Sequence, residues 1–89
     1  MRIDKTYKVR EVAGESLVLM QPRKGEEMTK VVALNETSLY LWNGLAEKDF
    51  EVEDAVALLM ERYEVDEATA TRDVEQWVGQ LKAVGIIVD

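Results

Sequence analysis

The spacing of apolar residues changes once along the chain, near residue 35, and the change separates a β-forming front from a helical remainder. From Tyr7 to Pro22 two short β-type runs, Tyr7 to Ala13 and Ser16 to Gln21, flank Gly14-Glu15, a pattern that predicts a β-hairpin. After Pro22 the polar stretch Arg23-Lys24-Gly25-Glu26-Glu27 carries a turn glycine, and Met28-Thr29-Lys30-Val31-Val32-Ala33-Leu34 resumes a β-rich run. That run predicts the third strand of a small antiparallel meander.

At Leu34-Asn35 the period becomes helical. Asn35 is a good N-cap, Glu36 puts a negative charge in the first turn, and Leu34 and Leu39 stand at the N′ and N4 positions of a hydrophobic staple. Leu39, Leu41, Trp42, Leu45 and Ala46 follow at close to 3.6 spacing, with Gly44 a weak position within. A second helix is announced by Glu51, Glu53 and Asp54, carries Ala55, Val56, Leu59, Met60 and Tyr63 on one stripe, and stops near Glu64. The third starts from Asp66 as N-cap and runs through Ala70, Val74, Trp77, Val78, Leu81 and Val84 to Gly85, a C′ position suited to the left-handed conformation. Ile86-Ile87-Val88 then forms a short tail against the core. Three strands followed by three helices is an α+β order, in which one face of a small sheet is covered by a helical layer. Such a sheet has two edges, and one stays available for pairing unless something blunts it.

Composition narrows the class. The 89 residues hold one domain, spanning 1–89, because a second core would leave neither half enough buried apolar area. A hydrophobic share of 47% beside 33% charged residues, with one proline, is the balance of a folded domain and not of a disordered tail. The chain has no cysteine, so the core holds without disulfides, and a reducing cytoplasm is the expected setting. Arg2, Asp4, Lys5 and Lys8 interrupt the start, so no apolar stretch of signal-peptide type follows Met1, and no run approaches the roughly 20 apolar residues of a membrane span. No membrane association is expected.

The net charge of -7 is unevenly spread: Met1 to Leu34 holds seven Lys and Arg against five Asp and Glu, and Asn35 to Asp89 holds four against thirteen. The front is mildly basic and the remainder strongly acidic, which weighs against nucleic acid as a partner. No histidine is present either, so neither a Ser-His-Asp nor a Cys-His arrangement can be built, and a metal site would rest on carboxylates alone. The spacing of a calcium loop is absent. Glu26-Glu27, Glu53-Asp54 and Asp66-Glu67 are paired acids, but each pair falls in a loop or a first helical turn, where solvation or the helix dipole accounts for it. The five glycines are scattered singly, so no phosphate cradle forms. Trp42 and Trp77 lie on apolar stripes and read as core rather than as stacking platforms. These features describe a binding module without enzyme activity and without a cofactor. Val31-Val32 differs in kind, because adjacent β-branched residues put one apolar side chain on each face of a strand. One faces the core; the other needs cover from the last helix or from a partner.

Three blocks together resemble one family: Leu34-Asn35-Glu36-Thr37 with Leu41-Trp42 and Leu45, Val52-Glu53-Asp54 leading to Leu59 and Tyr63, and Asp73-Val74 with Trp77-Val78, Leu81 and Gly85-Ile86. From Tyr7 to Ile87 the chain looks like the pyrroloquinoline quinone biosynthesis protein D (PqqD) family, with Glu51 departing from the threonine that often caps the second helix there. The resemblance implies a winged-helix-like domain that recognises the leader segment of a ribosomally synthesised precursor peptide and presents it to a modifying enzyme, usually a radical S-adenosylmethionine maturase. It implies that the leader adds as a further strand beside the third β-strand and contacts the last helix. Here the expected peptide-binding residues are Thr29, Lys30, Val31, Val32 and Ala33 on the strand, with Arg72 and Gln76 on the helix. Lys30, Arg72 and Lys24 are candidates to meet acids on such a leader.

Two rivals remain at this level. A winged-helix order suits a DNA-binding regulator, yet Asp66 to Val84 holds four acids and two bases, a poor recognition helix for a polyanion. The other is a structural subunit without peptide cargo, a homodimer pairing through the same edge strand.

Overall fold

The computed structural model describes residues 1–20 and 30–89, with Lys30 described by its backbone alone. In chain order these form β1 (Arg2–Ile3), β2 (Val9–Val12), β3 (Glu15–Met20), β4 (Lys30–Leu34), α1 (Glu36–Leu45), α2 (Val52–Arg62), α3 (Glu67–Ala83) and β5 (Ile87–Val88). The expected α+β order is present: β2, β3 and β4 make a three-stranded antiparallel meander, and the three helices follow it. The expected strand residues Gln21, Met28 and Thr29 lie outside the described residues.

The hairpin between β2 and β3 closes on the pair Val12 and Glu15, so its two-residue loop is Ala13-Gly14, one position earlier than the Gly14-Glu15 expected from sequence. Both loop residues have positive φ, 53° and 83°, the geometry of a type I′ turn, whose twist matches that of the flanking strands. Glu15 is thereby free to extend as the first residue of β3.

Pairing of Val18 with Val32 and of Ser16 with Leu34 sets one face of the meander. On it Val18, Met20 and Leu34 are buried and Val32 packs against the core. The opposite face carries Leu17, Leu19, Val31 and Ala33, of which Leu19 and Val31 are 42% and 50% exposed. The helices cover only the first face.

Helix ends follow the sequence closely. Ser38 N–H donates to Asn35 Oδ1 at 2.8 Å, and Thr69 N–H donates to Asp66 Oδ1 at 2.7 Å, so both N-caps satisfy a donor of the first turn. At α2 the first-turn residue Asp54 reaches back, its Oδ2 accepting from Glu51 N–H at 2.8 Å. Glu51 in the cap position thus keeps its own amide satisfied where a smaller cap residue is the commoner choice. Helix α3 ends with Ile86 N–H donating to Leu81 O at 2.9 Å and Gly85 N–H to Lys82 O at 3.1 Å, a Schellman motif with Gly85 at φ 83°. Leu81 and Ile86, the apolar pair of that motif, are both buried. Gly44 matters for packing instead, since a Cβ there would lie 2.8 Å from Leu58 Cδ1, and its bare backbone lets α2 approach α1.

A second sheet was not foreseen. The tail Ile87–Val88 does reach the core, but as β5, paired antiparallel with β1 through Ile3 and Ile87 and through Arg2 and Val88. Phe50 N–H donates to Met1 O at 2.8 Å, and the Met1 ammonium donates to Phe50 O at 3.0 Å. Both chain ends are therefore fastened beneath the helices, with Ile3, Phe50, Ile86 and Ile87 buried in the same core as Leu41 and Leu45.

Candidate functional site

The strand order β2-β3-β4 leaves β4 at the margin of its sheet. Among the described residues no strand pairs with it on the side away from β3, so one row of its backbone donors and acceptors is unclaimed there. Helix α3 lies beside that margin. Between them runs a groove of ≈ 180 Å³, with Val32, Ala33 and Leu34 on the strand side and Trp77, Leu81 and Val84 on the helix side. Ser38 of α1 and Gln80 of α3 complete it.

The groove exists because two periodicities meet. Strand alternation turns Val32 and Leu34 toward the helices, and helical spacing puts residues 73, 76, 77, 80, 81 and 84 of the α3 region along one flank. Beyond the Leu34 end of β4 the groove meets a second depression, of ≈ 340 Å³, that shares Ser38, Trp77 and Gln80 with it. Its polar residues are Asn35, Thr37, Asp73 and Gln76 as well as the shared ones, and Leu41 and Leu59 belong to its apolar part. The site thus has an apolar end, at Val32 and Val84, and a polar end, at Asn35 and Asp73.

The expected binding residues separate into groups. Val32 and Ala33 line the groove, and Gln76 lines the adjoining depression. Lys30 and Val31 belong to β4, but the Val31 side chain stands on the face away from the helices, so α3 does not cover it and only its backbone is placed for the groove. Arg72 is exposed on α3 and lines neither depression; its charge, after hydrogen bonding from Thr69 as the main cause, contributes to holding the Asp66 carboxyl below its ordinary range. Thr29 and Lys24 lie outside the described residues. Sequence reasoning put Trp77 and Val84 on the apolar stripe of the last helix, and it named neither Ser38 nor Gln80 individually as a binding residue. Trp77 is indeed buried, at 8% exposure, yet it also forms the wall shared by both depressions. The 3–4 spacing from Asp73 to Val84 was the available signal for that flank.

Among the described residues no group of three or more His, Cys, Asp or Glu side chains gathers to hold a metal ion, and no helix is long and apolar enough to cross a membrane. What the arrangement offers is backbone hydrogen bonding along β4 and side-chain pockets beside it, the two requirements of strand addition.

An α+β domain of this size, with three strands followed by three helices and an edge strand beside its last helix, has the architecture of the small winged-helix-like modules. Within that class the chain belongs to the family of Coenzyme PQQ synthesis protein D (PqqD), whose family profile matches residues 16–87. The solved structure of TbiB1 in complex with the TbiA(beta) leader peptide has the same fold, with a TM-score of 0.73 over 100% of both chains at 20% sequence identity. None of the curated proteins compared with the chain matches it significantly.

Proposed function

We propose that this protein binds the leader segment of a ribosomally synthesised precursor peptide as an added strand along β4 and presents it to a modifying enzyme of the radical S-adenosylmethionine type. The observation that carries this reading is the open margin of β4 lying directly beside a partly apolar groove against α3. Membership of the PqqD family supports it, as does the likeness to TbiB1, a protein solved with a leader peptide. The protein acts as a carrier in the cytoplasm, where precursors are made, and leaves the chemistry to its partner enzyme. A chain with neither histidine nor cysteine is well suited to that division of labour.

The backbone of residues 30–33 supplies the ladder, Val32 and Ala33 the strand side of the groove, and Gln76 a polar position in the adjoining depression. Lys30 and Arg72 meet acids on the flanks of the bound segment. Each backbone hydrogen bond contributes about 1 kcal/mol net, so a short added strand with one or two apolar anchors reaches roughly micromolar affinity, near -8 kcal/mol.

The test is a titration with a leader peptide encoded beside a radical-enzyme gene, followed by amide hydrogen exchange. Protection is expected to rise at residues 31–33 and along the groove side of α3. A peptide that binds without slowing exchange anywhere in β4 would remove strand addition from consideration.

A further inference from the structure

Trp77 carries a buried indole Nε1 with no hydrogen-bond partner, although the residue lines both depressions of the site. An unpaired buried donor costs about 1–3 kcal/mol, so its surroundings are worth reading for a partner. On the same helix flank, four residues before Trp77, stands the exposed carboxylate of Asp73, with Gln76 and Gln80 beside it and Asn35, Thr37 and Ser38 facing them from the cap and first turn of α1.

Resting on the reading of the chain as a peptide binder, we infer that the polar depression is a subsite for one carboxamide side chain, Asn or Gln, of the bound peptide. The carboxamide oxygen accepts from Trp77 Nε1–H and its NH2 donates to the Asp73 carboxylate. Side chains four apart on a helix have Cβ atoms about 5–6 Å from each other, a span that a planar group with an acceptor at one side and donors at the other can bridge. Charged and aliphatic side chains leave at least one partner unserved, and a Ser or Thr hydroxyl, though donor and acceptor, is a single atom too short to bridge the two. A carboxylate satisfies Trp77 but meets the like charge of Asp73; an ammonium satisfies Asp73 but leaves Trp77 with no acceptor; an aliphatic group leaves both. Trp77 Nε1 is buried, so seating the ligand requires neighbouring side chains to move aside, and the exposed Gln76 and Gln80 that line the same depression have the freedom to do so.

The position of the subsite fixes where in the peptide the carboxamide falls. The depression lies past the Leu34 end of β4 and the apolar groove lies along Val32, so the two peptide side chains occupy a fixed register, the carboxamide at the Leu34 end of the added strand.

Selection of a random peptide display library against the intact protein tests this directly. The expected result is a pool with an apolar position and, at one constant spacing from it, an excess of Asn and Gln. The same selection against Trp77→Phe and against the surface variant Asp73→Ala should lose that excess, and a selected peptide should bind each variant at least ~10-fold more weakly, equivalent to about 1.4 kcal/mol. Its Asn→Leu counterpart should lose less affinity than the parent peptide on passing from wild type to either variant. Should Trp77→Phe fail to melt cooperatively, Asp73→Ala decides alone. A pool with β-type apolar positions but no carboxamide preference, or one preferring acids there, overturns the subsite while leaving peptide binding standing. No enriched pool at all overturns both.

Discussion

A proline scan of β4 separates strand addition from every other way of using this surface. In an antiparallel strand the N–H and C=O of one residue point to the same side, and successive residues alternate, so of Val31 and Val32 one spends its backbone on β3 and the other offers it to the open margin. Proline removes the N–H and fixes φ near −65°, which edge strands tolerate when the lost donor faces outward. One of the two variants therefore keeps the ladder to β3 and remains folded, and the other breaks the pairing of Leu19 with Val31 or of Val18 with Val32. In the fold-retaining variant a bound peptide loses one hydrogen bond and has a carbonyl left without its donor, together about 1–3 kcal/mol. That corresponds to an affinity loss of roughly 5- to 150-fold. Thermal melts followed by circular dichroism identify which variant is folded, and anisotropy titration of a labelled leader gives its Kd. Unchanged affinity in the folded variant would refute the model, because no added strand can ignore a missing donor in the middle of a five-residue ladder.

Other consequences are open to measurement. Leu45→Ala, at a side chain with no exposure, should lower stability by about 2–5 kcal/mol in urea melts with little change of slope. Gly85→Ala forces a side chain into φ 83° and should cost about 1–2 kcal/mol, whereas Ala13→Asn, which suits a left-handed turn position better than alanine, should raise the melting temperature. Asn35→Ala removes the acceptor of Ser38 N–H and should cost about 1 kcal/mol, with α1 fraying in hydrogen exchange. Asp4 and Asp66 are held below the ordinary aspartate value of 3.8, chiefly by hydrogen bonds from Thr6 and Thr69. The unfolded chain therefore binds more protons at these sites, so their contribution is complete above about pH 4 and disappears as pH falls through the folded-state values. Melting temperatures measured from pH 5 downward should fall less steeply in Asp66→Ala than in wild type.

The parts of the fold that sequence revealed are those where one local rule settles the matter. Asn35 and Asp66 cap helices because their short side chains reach a first-turn amide, and Gly85 ends one because its φ is positive; none of this needs a tertiary partner. The pairing of β1 with β5 escaped notice because strands of two residues carry no measurable period, and what creates them is the meeting of the two chain ends. The hairpin was misplaced by one residue because Gly14 fits either central position of a two-residue turn, and register is decided by which side chains reach the core. At the site, Val32 and Ala33 were named from the resemblance to the family, and alternation alone left open which of Val31 and Val32 faces the helices. Trp77 was not legible as part of the site, because an apolar stripe marks a residue as buried without telling whether the far side of its ring closes on the core or on a groove.

An unpaired strand margin invites a second copy of the same chain as readily as a peptide, and charge decides between them. Two copies meeting edge to edge bring together domains of net charge -7 each, and the acids are concentrated in the helical part, where α3 flanks the margin. The Debye length of about 8 Å at physiological salt leaves that repulsion effective across an interface of touching strands. A short peptide carries no such burden, and its affinity depends on its own few charges rather than on the whole domain's. Acidity thus disfavours pairing of β4 with a second copy of itself, a form of edge protection that costs the strand none of its hydrogen-bonding capacity. If this is right, raising the salt concentration should increase self-association measured by light scattering while leaving the binding of an uncharged peptide nearly constant; a dimer that is already complete at low salt would contradict it.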